Sequence, residues 1–117
     1  MQGGALVNLD VQMIKNNDEP VLNVSGEIDA YTAPKLKEAL QSILEKENQK
    51  ITVDLENVTY MDSTGLGVFI GVLKSAKEKN STLELINIQE RVYRLFQITG
   101  LEEIMNLKAV IQGGNEL

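Results

Sequence analysis

The chain has 117 residues, a formal charge of −6, and neither cysteine nor histidine. That length makes one domain, which on folding buries somewhere near two-thirds of its extended-chain surface. The missing residue types exclude disulfides, thiolate nucleophiles, cysteine or histidine zinc sites and imidazole catalysis. The negative charge argues against an electrostatic grip on nucleic acid or anionic lipid; it either serves solubility alone or leaves a protein as the partner to expect.

The start, Met1 to Leu6, has neither a cationic segment nor an apolar run of signal-peptide length, and the longest apolar stretch, Gly65 to Leu73, is far below the ~20 residues that span a bilayer. A soluble cytoplasmic protein is expected. Val7, Leu9, Val11 and Met13 alternate with Asn8, Asp10 and Gln12, the period of a strand with one wet face. Asn16 to Pro20 supplies turn residues, and Val21, Leu22 and Val24 begin a return strand, giving an antiparallel hairpin up to Gly26. Thr32 is placed as a helix N-cap with Pro34 in the first turn, and Leu36, Ala39, Leu40, Ile43 and Leu44 form the apolar face of the helix that follows.

Ile51, Val53 and Leu55 alternate with Thr52 and Asp54, which predicts a strand over 51–55 and a loop near Glu56 to Ser63. A helix is expected from Thr64 to about Lys79, with Leu66, Phe69, Ile70 and Leu73 as its core stripe. A strand over Leu83 to Asn87, a helix from Glu90 to Thr99 closed by Gly100, and a strand over Ile104 to Leu107 complete the alternation. The pattern predicts an α/β fold: a mostly parallel sheet of four to five strands, the first hairpin strand at its edge, and about four helices. Residues 112 to 117 read as a frayed tail.

The run Tyr60-Met61-Asp62-Ser63-Thr64-Gly65-Leu66-Gly67-Val68 sets two hydroxyls beside a carboxylate where a strand gives way to a helix. Unpaired backbone N–H groups and the positive end of the helix dipole stabilise a hydroxyl oxygen or a phosphate at such a place. Read alone, Ser63 is a helix cap, and Asp29 and Asp62 are either solvated loop acids or carboxylates gathered around Ser63 at one sheet edge. Gly65, Gly67 and Gly71 do not make a dinucleotide fingerprint, because the third glycine comes one residue late, and no phosphate loop with Gly-Lys-Ser or Gly-Lys-Thr occurs. Val68 and Val72 are expected on an outer face of the helix, away from the core stripe, as a docking surface or as a face buried under another element of the domain. Arg91 and Arg94 either reach a partner's acids or solvate their helix.

The site run resembles the phosphorylation site of bacterial anti-sigma-factor antagonists, the small single-domain members of the STAS family. Gly26-Glu27-Ile28-Asp29-Ala30-Tyr31-Thr32-Ala33-Pro34 is similar to the family's second signature, and Arg91 to Leu101 to its third, so matching positions extend from about 9 to 107. The sequence Asp-Ser-Thr-Gly-Leu-Gly is most like that of the general-stress branch of Gram-positive bacteria. The resemblance implies a single STAS domain over 1–117 that is no enzyme and needs no cofactor or metal. It implies phosphorylation of Ser63, with Thr64 helping to shape the helix start and Asp29 and Asp62 presenting Ser63 to a kinase; together with the outer helix face, the expected partner surface is Asp29, Asp62, Thr64, Gly65, Val68 and Val72. The implied partners are an anti-sigma factor with serine kinase activity, bound by the unphosphorylated form, and a serine phosphatase that restores that form. The rival reading is a receiver-type domain phosphorylated on an aspartate such as Asp62 with bound magnesium. A serine hydrolase is weaker still, because no histidine is present to act as base.

Overall fold

The computed structural model describes residues 9–15 and 19–109. The start at 1–8, the hairpin-turn residues 16–18 and the tail expected at 112–117 lie outside the described residues. In chain order the elements are β1 (Leu9–Lys15), β2 (Val21–Ile28), α1 (Ala33–Ile43), β3 (Lys50–Met61), α2 (Ser63–Glu78), β4 (Thr82–Ile88), α3 (Glu90–Ile98), a 3₁₀ turn (Leu101–Glu103) and β5 (Asn106–Ala109). The helical complement among the described residues is thus three α-helices and one 3₁₀ turn.

The five strands stand in the order β1-β2-β3-β4-β5, with β1 antiparallel to β2 and every later neighbour parallel. A receiver-type sheet is doubly wound, in the order 2-1-3-4-5 with helices on both faces. Here the helices pack together on one face, as the tilted Phe69–Phe96 ring pair of α2 and α3 shows, with centroids 6.3 Å apart. The receiver reading is therefore overturned by topology. Among the described residues, no helix is long and apolar enough to cross a membrane.

The core forms one cluster. Leu22, Val24 and Ile28 of β2, Ile51, Val53 and Leu55 of β3, and Leu83 and Leu85 of β4 face Leu36 and Leu40 of α1, Phe69 and Val72 of α2, and Phe96 of α3. Asn23, Thr52, Asp54 and Glu84, at the alternate strand positions, are exposed or half-buried on the other face.

β3 does not stop at Leu55 as the alternation predicts, but runs on to Met61. Two register shifts against β2, between Asn23 and Ser25 and between Gly26 and Glu27, each place an extra residue on β3. The inward positions therefore change from Leu55 to Val58 and then Met61, which breaks the period of two. Gly26 takes φ 116°, a backbone conformation side chains disfavour, at the second shift. β5 likewise begins later than expected, at Asn106, and it is Met105 rather than Ile104 that is buried.

The Thr32 side chain makes no cap hydrogen bond to α1, although Thr32 is the N-cap residue and Pro34 falls in the first turn. At the opposite end of the domain the turns after α1 and α2 are tied together. Asn48 and Asn80 both adopt positive φ, the Asn80 Nδ2 donates to Asn48 Oδ1 at 2.6 Å, and Thr82 N donates to the Gln49 carbonyl at 2.9 Å. This brace holds α1 and α2 side by side.

Candidate functional site

β2 and β3 end together. Ile28 pairs with Met61, and Asp62 N donates to the Ile28 carbonyl at 3.2 Å, so Asp29 and Asp62 leave the sheet as neighbours on one edge. Asp62 keeps an extended backbone, φ −116° and ψ −169°, and from there its Oδ1 accepts from Thr64 N at 2.9 Å and Gly65 N at 3.4 Å. Asp62, not Ser63, is the helix cap. The extended residue directly after the strand aims its carboxylate at the first free amides, and this takes the place that Ser63 would otherwise fill.

Ser63 is left as the first helical residue, exposed, with its hydroxyl in no hydrogen bond to any described residue. Thr64 is exposed beside it. Gly65 is buried: a Cβ there would lie 2.7 Å from Ile28 Cγ2 and 2.7 Å from Met61 Cγ. Its role is close approach of the first turn of α2 to the strand ends. The expectation that it offers contact surface to a partner is corrected by this burial.

Asp29 builds the second turn of the edge. Its Oδ1 accepts from Tyr31 N at 2.9 Å and Thr32 N at 3.0 Å. Thr32 Oγ1 in turn accepts from Asp29 N at 2.9 Å and donates to the Glu27 carbonyl at 2.7 Å. Thr32 is buried by this bracing, and Tyr31 is left standing 93% exposed. The sequence reading singled out neither Thr32 in this role nor Tyr31. The spacing Asp-x-x-Thr before a helix is the signal that reveals such reciprocal side-chain turns.

Glu27, Asp29 and Asp62 thus share one edge, and the ion pairs among the described residues lie elsewhere. Arg94 pairs with Glu90 at 3.1 Å on the exposed side of α3, and Lys108 pairs with Glu84 at 3.0 Å. The Arg94 pair is exposed on both sides and lies within one helix. Away from this edge, burial and then the carboxylate of Glu102, 3.4 Å from the hydroxyl, hold the Tyr93 phenol above its ordinary range.

Val72 is 1% exposed, so its place on an outer face is corrected as well. The buried side of α2 is Leu66, Phe69, Val72 and Ala76, whereas Ile70 is 37% exposed and Leu73 only half-buried. α1 packs along the flank that carries Val68 and Val72 and rotates the buried arc toward itself. Between the helices runs a groove of about 530 Å³, lined among others by Ala30, Pro34, Thr64, Gly67 and half-buried Val68, with Val72 also in its lining.

A mixed sheet covered by helices on one face, with an exposed serine beside the capping aspartate at the strand-to-helix junction, is the arrangement of a STAS-type domain. The STAS domain pattern matches residues 10–113, and the chain belongs to that family. The anti-sigma-B factor antagonist of Listeria monocytogenes is 46% identical over 105 residues, covering 89% of this chain and 92% of its own. The protein of that name from Bacillus subtilis is 43% identical over 108 residues, covering 92% and 98%. Among solved structures, an anti-sigma factor antagonist from Mycobacterium paratuberculosis shares the fold with a TM-score of 0.77 at 23% identity, over 86% of this chain and 85% of that one.

Proposed function

We infer that this chain is an anti-sigma-factor antagonist of the sigma-B type, a regulator that acts by binding the anti-sigma factor rather than by catalysis. The likeness to antagonists of that name over nine-tenths of the chain supports this reading. Its finer parts are that the anti-sigma factor is also the serine kinase that phosphorylates Ser63, that a serine phosphatase reverses the mark, and that the exchange takes place in the cytoplasm. Unphosphorylated, the chain holds the anti-sigma factor and frees the sigma factor.

The observation that carries the switch is the free hydroxyl of Ser63 at the start of α2. Because Asp62 caps the helix, modification of Ser63 breaks no hydrogen bond to the described fold. A phosphate adds a charge of about −1.5 to −2 at the positive end of a helix dipole, which accommodates it. A docked partner does not. The phosphate stands among Asp62 and Asp29, and enclosing that charge costs of the order of a few kcal/mol at intermediate dielectric, where about 1.4 kcal/mol is already tenfold in affinity.

The test is incubation with the cognate anti-sigma kinase and ATP, followed by mass spectrometry. One phosphate on Ser63, absent in Ser63→Ala, is the expected result, and undiminished labelling of the alanine variant would move the site elsewhere.

A further inference from the structure

The inference rests on the reading of the chain as an antagonist switched at Ser63. α2 carries two glycines one helical turn apart, Gly67 and Gly71, and in a helix interior glycine is less stable than alanine. Gly65 has an internal reason to lack a side chain. Gly67 and Gly71 have none, because outside their own stretch of helix no atom of the described fold lies within 4 Å of the position a Cβ would take. Both line the groove between α1 and α2.

The groove is continuous with the switch. Thr64, next to Ser63, lines it at the start of α2, and Ala30 lines it from the turn before α1. The next residue after Ala30 is Tyr31, fully presented to solvent on a turn that the Asp29 carboxylate holds at 2.9 Å. An exposed tyrosine on a braced backbone gives up little freedom when it is covered, and tyrosine is enriched among residues that dominate binding energy. A partner dislodged by a phosphate on Ser63 has to cover that hydroxyl. The apolar part of the lining that a segment can reach, Ala30, Pro34 and half-buried Val68, adjoins it beside Lys37 and Gln41, and a segment lying there comes down on the bare backbone of two glycines.

We propose that the anti-sigma factor lays an apolar segment in the α1–α2 groove, in close approach to Gly67 and Gly71, and closes on Tyr31 beside the groove's mouth. A side chain added at either glycine then has opposite effects on the free protein and on the complex. Gly71→Ala and Gly67→Ala should melt at or above the wild-type temperature, since alanine favours the helix and finds open space. Each should bind the purified cognate anti-sigma factor at least fivefold more weakly in calorimetric titration of the unphosphorylated chain. Tyr31→Ala should keep the wild-type melting temperature and lose at least tenfold in affinity.

Wild-type affinity in the glycine variants, with the wild-type complex intact, overturns the groove and leaves the antagonist function standing. A lower melting temperature in both glycine variants assigns these residues an internal role and also overturns the proposal. If the free protein sediments as a dimer that Gly71→Ala dissociates, the groove belongs to a second copy and the proposal falls. No complex with the wild-type chain overturns both this inference and the function on which it rests.

Discussion

At the start of α2 the helix cap and the exposed hydroxyl fall on adjacent residues. Asp62 Oδ1 satisfies two amides, and the Ser63 hydroxyl beside it has no structural duty among the described residues. Removing the cap should therefore be felt by the fold and removing the hydroxyl should not. Asp62→Ala is expected to cost about 1 kcal/mol in urea unfolding, and Asp62→Asn less than half of that, because asparagine caps nearly as well. Equal stability of Asp62→Ala and wild type would show that the carboxylate does not hold the helix start. The Asp-Ser-Thr-Gly run marked this junction in the sequence, but which residue caps was not readable from it. The choice depends on the extended backbone Asp62 inherits from β3, and that follows from pairing with β2 rather than from local propensity.

At the scale of elements, the orientation of α2 was the part the sequence left undetermined. The helix is apolar over two arcs, one with Leu66, Phe69, Ile70 and Leu73 and another with Val68 and Val72, so periodicity alone gives no unique buried face. Contact with α1, far away in sequence, selects between them. For a charge at Val72 the consequence is that of a buried position, not of an outer face. Val72→Lys buries an unpaired ammonium in the core and should cost several kcal/mol, enough to unfold much of the protein at room temperature. Ile70→Lys, on the exposed side, should stay within about 0.5 kcal/mol of wild type. Thermal melts followed by circular dichroism separate the two, and a cooperative wild-type-like melt for Val72→Lys would contradict the burial. By contrast, β1, β2 and β4 were legible as strands from their alternation: Leu22 and Val24 of β2 and Leu83 and Leu85 of β4 turn inward in a period of two, although Met13 of β1 is 40% exposed and in β4 the next inward residue after Leu85 is Ile88.

Across the whole molecule, the helices cover one face of the sheet, and Ser63, the proposed phosphoacceptor, lies at one end of that layered structure, away from the braced Asn48–Asn80 turns. A charge at Ser63 therefore meets solvent and a helix N-terminus, with no core to disturb. Ser63→Asp should give a wild-type circular dichroism spectrum and a melting temperature within about 4–8 °C of wild type, the shift that about 1 kcal/mol produces in a domain near this size. Its binding to the anti-sigma factor should fall, and wild-type affinity for this variant would remove the electrostatic account of the switch. Because the charges concerned are exposed in the free chain, the association rate should also depend on ionic strength.

The doubled shift in β3 fixes a height. Val21 to Ile28 of β2 lie opposite Thr52 to Met61 of β3, so two residues of β3 are taken up as slack. In a flat strand that slack would carry Asp62 and Ser63 roughly 6–7 Å beyond the end of β2. Asp62 N would then miss the Ile28 carbonyl it now reaches at 3.2 Å, and Gly65 would lose its seat against Ile28 and Met61. How far the phosphoacceptor candidate projects from the domain is thus gauged by the strand beneath it. A kinase that reads this serine reads a level set by two bulges.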